Sequence, residues 1–108
     1  MPVRATTRNL IGSAKKYRRV VNLIRGKGVQ EALGLLRLLP TPMANTVAKV
    51  VRSAAANAEN NEMMNMRDLR IVMAYANDGP RLRRFRPQAR GRMFRIIKHR
   101  THVTIIVD

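Results

Sequence analysis

RLRRFRPQARGRMFRIIKHR, residues 81–100, carries Arg81, Arg83, Arg84, Arg86, Arg90, Arg92, Arg95, Lys98 and Arg100 and no acid. A run of one charge sign repels itself and stays compact only beside a polyanion. It is not a plain charge run, because Leu82, Phe85, Met93, Phe94, Ile96 and Ile97 are threaded through it. A solvated loop needs no such residues. Strand-like sequence flanks the stretch on both sides. It therefore reads as an ordered basic arm built to enter nucleic acid.

Composition supports that reading. The chain has 108 residues and a net charge of +16, from 22 Lys and Arg against 6 acids. Neutralising phosphates releases counterions, so each added cation strengthens binding to nucleic acid. Arg outnumbers Lys 17 to 5, and the flat, weakly hydrated guanidinium suits burial among phosphates and bases. There is no cysteine, which rules out disulfides and thiolate metal sites and suits a reducing compartment. Met1 to Leu10 is polar and strand-like, so no secretory leader is expected. The longest apolar run is far below a membrane span, and a soluble chain is expected.

Outward from the arm, the pattern resolves into short elements. Val3 to Ile11 reads as a strand closed by Gly12. Ser13 follows as a helix N-cap, its hydroxyl expected to accept from an orphan amide. Tyr17, Val20, Val21 and Ile24 then recur at helical spacing, and Gly26 supplies the stop. Val29 to Leu39 is a second helix with Ala32, Leu33, Leu36 and Leu39 inward, weakened at Gly34 by about 1 kcal/mol. Thr41 and Pro42 open a third helix as cap and first residue. Its buried face is Met43, Val47, Val50, Val51, Ala54 and Ala58, and it ends near Asn60 and Asn61. Met63 to Asp68 is a connector. Leu69 to Ala76 and Val103 to Val107 are strands, the former interrupted by Asn77, Asp78, Gly79 and Pro80.

The expected fold is α+β: a small three-stranded antiparallel sheet covered by three helices, with a long protruding basic β-hairpin. One domain, residues 1–108, divides into a globular body, 1–78 and 101–108, and an extended arm, 79–100. About ten residues separate Gly79 from an apex near Gln88, so the arm projects roughly 30 Å. Phe85 and Phe94 either pair across the ribbon or stack on bases.

Outside the arm, the first helix exposes Lys15, Lys16, Arg18, Arg19 and Arg25 with no Glu or Asp to form the usual i,i+4 pairs. That points to a phosphate-binding face. Asn57, Asn60, Asn61 and Asn65 read first as polar helix-end residues. His99 and His102 are expected to bond RNA or backbone, or to be exposed, and no metal site is expected. Ser13 and Ser53 sit in no nucleophile elbow. The six acids are scattered and no phosphate-cradling Gly loop is present. The chain is therefore read as a non-enzyme with no cofactor. Two rival partners fit the charge. One is duplex DNA bent by a basic β-arm, which normally needs a dimer. The other is an anionic membrane surface, which needs an exposed apolar helix face. The apolar faces here are all needed internally, so an obligate homo-oligomer is not expected.

RNLIGSAKKYRRVVNLIRGK (residues 8–27), SAAANAENN (53–61), NDGPRLRRFRPQARGR (77–92) and HRTHVTIIV (99–107) together resemble the bacterial-type large-subunit ribosomal protein L twenty-two family, over nearly the whole chain. The resemblance implies a structural constituent of the large subunit that binds its ribosomal RNA and supports early assembly. The hairpin would line the nascent-peptide exit tunnel at its narrow point, beside ribosomal protein L four and, transiently, the nascent peptide. The ribosome would be cytoplasmic, bacterial or organellar, with no membrane partner. RNA contacts are expected at Arg8, Ser13, Lys15, Lys16, Arg18, Arg19, Arg25, Lys27, Asn57 and Asn60. They continue along the arm at Arg81, Arg83, Arg84, Arg86, Arg95, Lys98, Arg100 and His102. The tunnel-lining tip would be Gln88, Ala89, Arg90, Gly91 and Arg92. Leu82, Arg83 and Arg84 match a stretch linked in the family to macrolide response.

Overall fold

The computed structural model describes residues 2–87, 89–91 and 93–108, except for the side chains of Ala89, Met93 and Phe94. Gln88 and Arg92 of the expected tip lie outside the described residues. In chain order the elements are β1 (Val3–Ile11), α1 (Ala14–Ile24), α2 (Val29–Leu38), α3 (Pro42–Glu62), a short 3-10 turn (Met66–Asp68), β2 (Ile71–Asp78), β3 (Leu82–Pro87), β4 (Met93–Lys98) and β5 (Arg100–Val107). A second 3-10 turn, Ala89–Gly91, joins β3 to β4. No helix is long and apolar enough to cross a membrane among the described residues.

β5 is the centre of a three-stranded antiparallel sheet ordered β1-β5-β2. Its inward residues Val103, Ile105 and Val107 are fully buried. Register places Ala5 and Ala74 on either side of Ile105, and Val3 and Ile71 beside Val107. α1 lies over β2 and α3 lies over β1 and β5, while α2 packs on α3. The α1 stripe of Tyr17, Val20, Val21 and Ile24 and the α3 stripe of Val47, Val50, Val51, Ala54 and Ala58 fill the space between. Small residues on both sides, Ala54 and Ala55 on α3 and Ala5, Ala74 and Ala76 on the sheet, let helix and sheet approach closely.

Helix boundaries follow the expected punctuation, but the caps work differently. Ser13 occupies the N-cap position of α1 in extended conformation without a side-chain capping bond. Its own carbonyl takes the Lys16 and Tyr17 N–H groups at 3.2 and 3.4 Å, so the backbone of Ser13 rather than its hydroxyl bonds the first turn. Thr41 likewise caps α3 without a side-chain bond, with Pro42 next as expected. α3 runs slightly past Asn60 and Asn61, to Glu62, and closes on Met63 in the left-handed region (φ 54°), whose N–H reaches Ala58 O. The connector contains its own turn, capped by the Asn65 side chain accepting from Arg67 N–H at 3.0 Å.

β3 and β4 form a separate two-stranded sheet. They pack on each other and barely touch any other element. The molecule measures 62 × 26 × 17 Å with a radius of gyration of 16.9 Å. A compact chain of this length has about 13 Å, and the excess is the projecting ribbon.

At the ribbon's root, three hydrogen bonds fasten the end of β1 to its neighbours. Tyr17 Oη donates to Ile11 O at 2.8 Å, Thr101 Oγ1 donates to Gly12 O at 2.8 Å, and Gly12 N–H donates to His99 O at 3.2 Å. Gly12 has φ +122°, a conformation that favours glycine, and a Cβ there would also crowd Met43 Cε at 3.0 Å and Tyr17 Cε2 at 3.2 Å. Burial pushes the Tyr17 phenol above its ordinary 10.0, with a Thr46 hydrogen bond opposing. A raised folded-state value means that the tyrosine's contribution is complete below the unfolded-state value. It is lost as pH rises through the folded one.

Two outcomes follow for the body. Tyr17→Phe should cost about 1 kcal/mol at neutral pH, the worth of one hydrogen bond. The variant should also lose less stability than the parent on raising the pH above about 10. Denaturant midpoints at several pH values check both; equal alkaline loss in parent and variant would contradict the second. Gly34 is exposed in mid-helix with open space around its Cα, so Gly34→Ala should stabilise by about 0.5–1 kcal/mol. A lowered midpoint would show that the site is not free.

Candidate nucleic-acid interface

The arm distributes its charge by rungs. Register opposes Leu82 to Lys98, Arg83 to Ile97, Arg84 to Ile96, Phe85 to Arg95 and Arg86 to Phe94. Every one of these rungs joins one cation to one apolar residue. Like charges directly opposite would be destabilising, and the sequence avoids all of them. Opposed residues share a face and successive rungs alternate. One face thus carries Arg83 and Arg95, and the other Arg84, Arg86 and Lys98. These five cations are exposed, so the ribbon is cationic on both sides. Phe85 is 59% exposed. Its rung partner is Arg95, so the register does not oppose it to Phe94. Arg81 and Arg90 are also exposed, while Arg100, at the root, is half-buried.

At the tip, Arg90 and Gly91 both take left-handed backbone, at φ 62° and 72°. Two such residues in succession reverse the chain tightly. Glycine does this freely, whereas Arg90 holds a conformation that costs roughly 1–3 kcal/mol. Where β2 leads into the arm, Gly79 N–H donates to Arg100 O at 2.8 Å. A Cβ at Gly79 would come within 3.1 Å of the Arg100 carbonyl group, so the two backbones of the neck approach as only glycine allows.

α1 presents Lys15, Lys16, Arg18, Arg19 and Arg25 to solvent. Two of these do structural work that sequence reasoning missed. Arg18 Nε donates to Ala76 O at 3.0 Å, and Arg25 donates to Ala74 O through Nε at 3.2 Å and Nη2 at 2.6 Å. β2 is an edge strand, and unpaired edge carbonyls invite pairing with other chains. The two guanidiniums cap this edge from above. Their i,i+7 spacing, which sets both on one flank of the apolar stripe, was the available signal. Nothing in the sequence said which strand they would meet. Lys15, Lys16 and Arg19 have no such engagement. Lys27 Nζ lies 3.7 Å from Glu31 Oε1 in an i,i+4 pair, an exposed contact worth little.

His102 accepts the Asn9 N–H on Nδ1 at 3.1 Å. An accepting Nδ1 carries no proton, so Nε2 carries it and is a donor for a partner. Asn9 has φ 59° and sits where the β1–β5 register shifts, between Thr7 and Leu10. The imidazole thus steadies a bulge as well as facing outward. Arg8 is exposed just before that bulge. His99 is exposed at the β4–β5 junction.

Asn57 and Asn60 are not brought to the arm. α3 starts beside Gly12, where Pro42 and Met43 line a shallow apolar cleft with Tyr17. Its 21 residues, at about 1.5 Å each, carry both asparagines to the far end of the body. The acids gather at that end too: Glu31 and Asp68 line one depression, Glu59 and Glu62 close α3, and the Asp108 backbone pairs with Arg70. Only Asp78 lies toward the arm. Charge is therefore segregated along the long axis, positive at the ribbon and mixed at the opposite pole. No group of three or more His, Cys, Asp or Glu is placed to hold a metal ion among the described residues.

This division of labour on α1 is testable. Arg25→Met should lower stability by about 1 kcal/mol through the lost edge bonds, whereas Arg19→Met should stay within about 0.5 kcal/mol and weaken RNA binding. Paired denaturant titrations and filter binding would decide it. Equal stability of the two variants would contradict the edge-cap assignment.

Comparison with known proteins places the chain in a family. The sequence model of the family described as ribosomal protein L22p/L17e matches residues 5–108. The large ribosomal subunit protein uL22 of Dehalococcoides mccartyi strain BAV1 is 50% identical over 107 residues, covering 99% of this chain and 98% of that protein. The uL22 protein of strain CBDB1 has the same identity and coverage. That of strain 195 is 48% identical over the same span. With its fold, its two-faced cationic ribbon and these relatives agreeing, the chain belongs to the ribosomal protein L22p/L17e family.

Proposed function

We propose that this chain is a structural constituent of the large ribosomal subunit that binds the subunit's RNA through its arm and α1. The carrying observation is the ribbon itself: cations on both faces, an apolar mate on every described rung, and almost no contact with the body. An isolated two-stranded ribbon is marginal in water. Enclosure by phosphate on both sides supplies the charge balance that the chain's 6 acids cannot. The relatives bear the names of ribosomal proteins rather than enzymes, and family membership lends the duplex-DNA reading no support. They are bacterial, which fits a ribosome in a bacterial cytoplasm.

In this reading residues 79–100 act as the arm, and residues 1–78 and 101–108 as the body. The thin ribbon passes between RNA helices where a globular domain cannot. Its guanidiniums tie phosphates of several helices together, which suits a role early in assembly. Phosphate contacts set position while carrying little sequence information, and RNA shape supplies the rest. Lys15, Lys16 and Arg19 contribute free charge from α1. Arg18 and Arg25 contribute the donors left over from the sheet edge. The tip, residues 88–92, lines the nascent-peptide tunnel beside ribosomal protein L four, and its cations set the charge met by the emerging peptide.

Deleting residues 83–92 removes five Arg. The body should keep its circular dichroism, and RNA binding should weaken with a salt slope lower by about four. Loss of the whole fold would make the ribbon part of the core. An unchanged slope would remove the arm from the RNA.

A further inference from the structure

A cleft of about 670 Å³ opens at the root of the arm, where the end of β1, the first turn of α1 and the β4–β5 junction meet. We propose that it takes a single unpaired nucleotide of the RNA, splayed out of its helix at the point where the arm enters. This rests on the reading of the chain as an RNA-binding ribosomal protein and names what that surface selects.

Four observations point to this ligand. First, the walls come from segments far apart in sequence yet both supply cations, Lys16 on one side and Lys98 and Arg100 on the other. Second, Ile11 lies in the same cleft and is 76% exposed, an aliphatic surface that no protein element covers. A bare phosphate has no use for it, and a base does. Third, the His99 ring and the Arg100 guanidinium are planar groups of the kind on which extruded RNA bases stack. Arg100 is held there by its Nη1 donating to His99 O at 3.3 Å. Fourth, the site is pre-formed. The Tyr17, Thr101 and Gly12 hydrogen bonds fix Ile11, the start of α1 and His99 relative to one another, so binding costs little ordering. The volume falls within the roughly 300–1,000 Å³ of small-molecule sites, too large for phosphate alone. Ser13, whose hydroxyl makes no capping bond, also lines the cleft and is available to the ribose.

The test uses the full chain and two RNAs: a short duplex with a single-nucleotide bulge, and the same duplex fully paired. The parent should bind the bulged RNA about tenfold more tightly. Ile11→Ser and Lys98→Gln should each reduce that ratio toward one. Both residues are exposed, and circular dichroism checks that the variants fold. Arg19→Gln, on α1 outside the cleft, should weaken both RNAs alike and leave the ratio intact. Equal binding of the two RNAs by the parent, or a ratio that survives Ile11→Ser, would overturn the nucleotide site alone. Failure to bind either RNA would overturn the ribosomal reading together with it.

Discussion

Electrostatic self-repulsion governs this molecule. A net charge of +16 on 108 residues would push a compact chain apart unless the charges were spread or neutralised. The body does both in part. All of its acids but Asp78 sit toward the pole away from the arm, and two of its guanidiniums rest on backbone carbonyls. The arm has no acid at all. It manages by alternation, setting each of the five cations on its described rungs across from an apolar residue and dividing the charge between two faces. That arrangement reduces repulsion within the ribbon without abolishing it, and leaves the remainder to a polyanion on either side. Length, thinness and the near absence of contact with the body are consequences of the same need. Each keeps the cations apart from one another and open to phosphate.

A projecting ribbon is useful only if its base is stiff. The root supplies this through backbone geometry more than side-chain bulk. Gly12 supplies a left-handed turn, and Gly79 lets its backbone come close to that of Arg100. Thr101, fully buried, and Tyr17 each donate to a carbonyl at the end of β1. β5 links the two halves directly, since only His99 separates the end of β4 from the strand at the centre of the sheet. Forces on the arm are thus passed to the best-buried strand of the body. A cleft lined from both sides opens at this same stiff junction.

Much of this was legible in the sequence, for identifiable reasons. β1 is legible with the bounds it has, because Gly12 and Ser13 punctuate its end. α1 and α3 were legible because apolar residues recur at three and four, and Thr41–Pro42 marks a start. The arm was legible from charge interleaved with apolar residues. What escaped depends on pairing between distant segments. The Ser13 hydroxyl is expected to cap, but the bonds that the first turn makes to this residue go to its carbonyl. Arg18 and Arg25 looked like free surface charge because the edge of β2 that they cover is some fifty residues away in sequence. The Asn9 bulge and its His102 support depend on a β1–β5 register that local pattern does not fix. Phe85 and Phe94 leave open a cross-ribbon pair or stacking on bases, and the register sets Arg95 rather than Phe94 opposite Phe85.

Amide hydrogen exchange, with and without large-subunit ribosomal RNA, reads whether the ribbon owes its order to the RNA. Residues 82–87 and 93–98 should exchange rapidly in the free protein, since few buried contacts hold them. They should become strongly protected on RNA, while β5 and α3 stay protected throughout. Arm amides as protected in the free protein as in the complex would mean that the ribbon is stable by itself, and the account would be wrong.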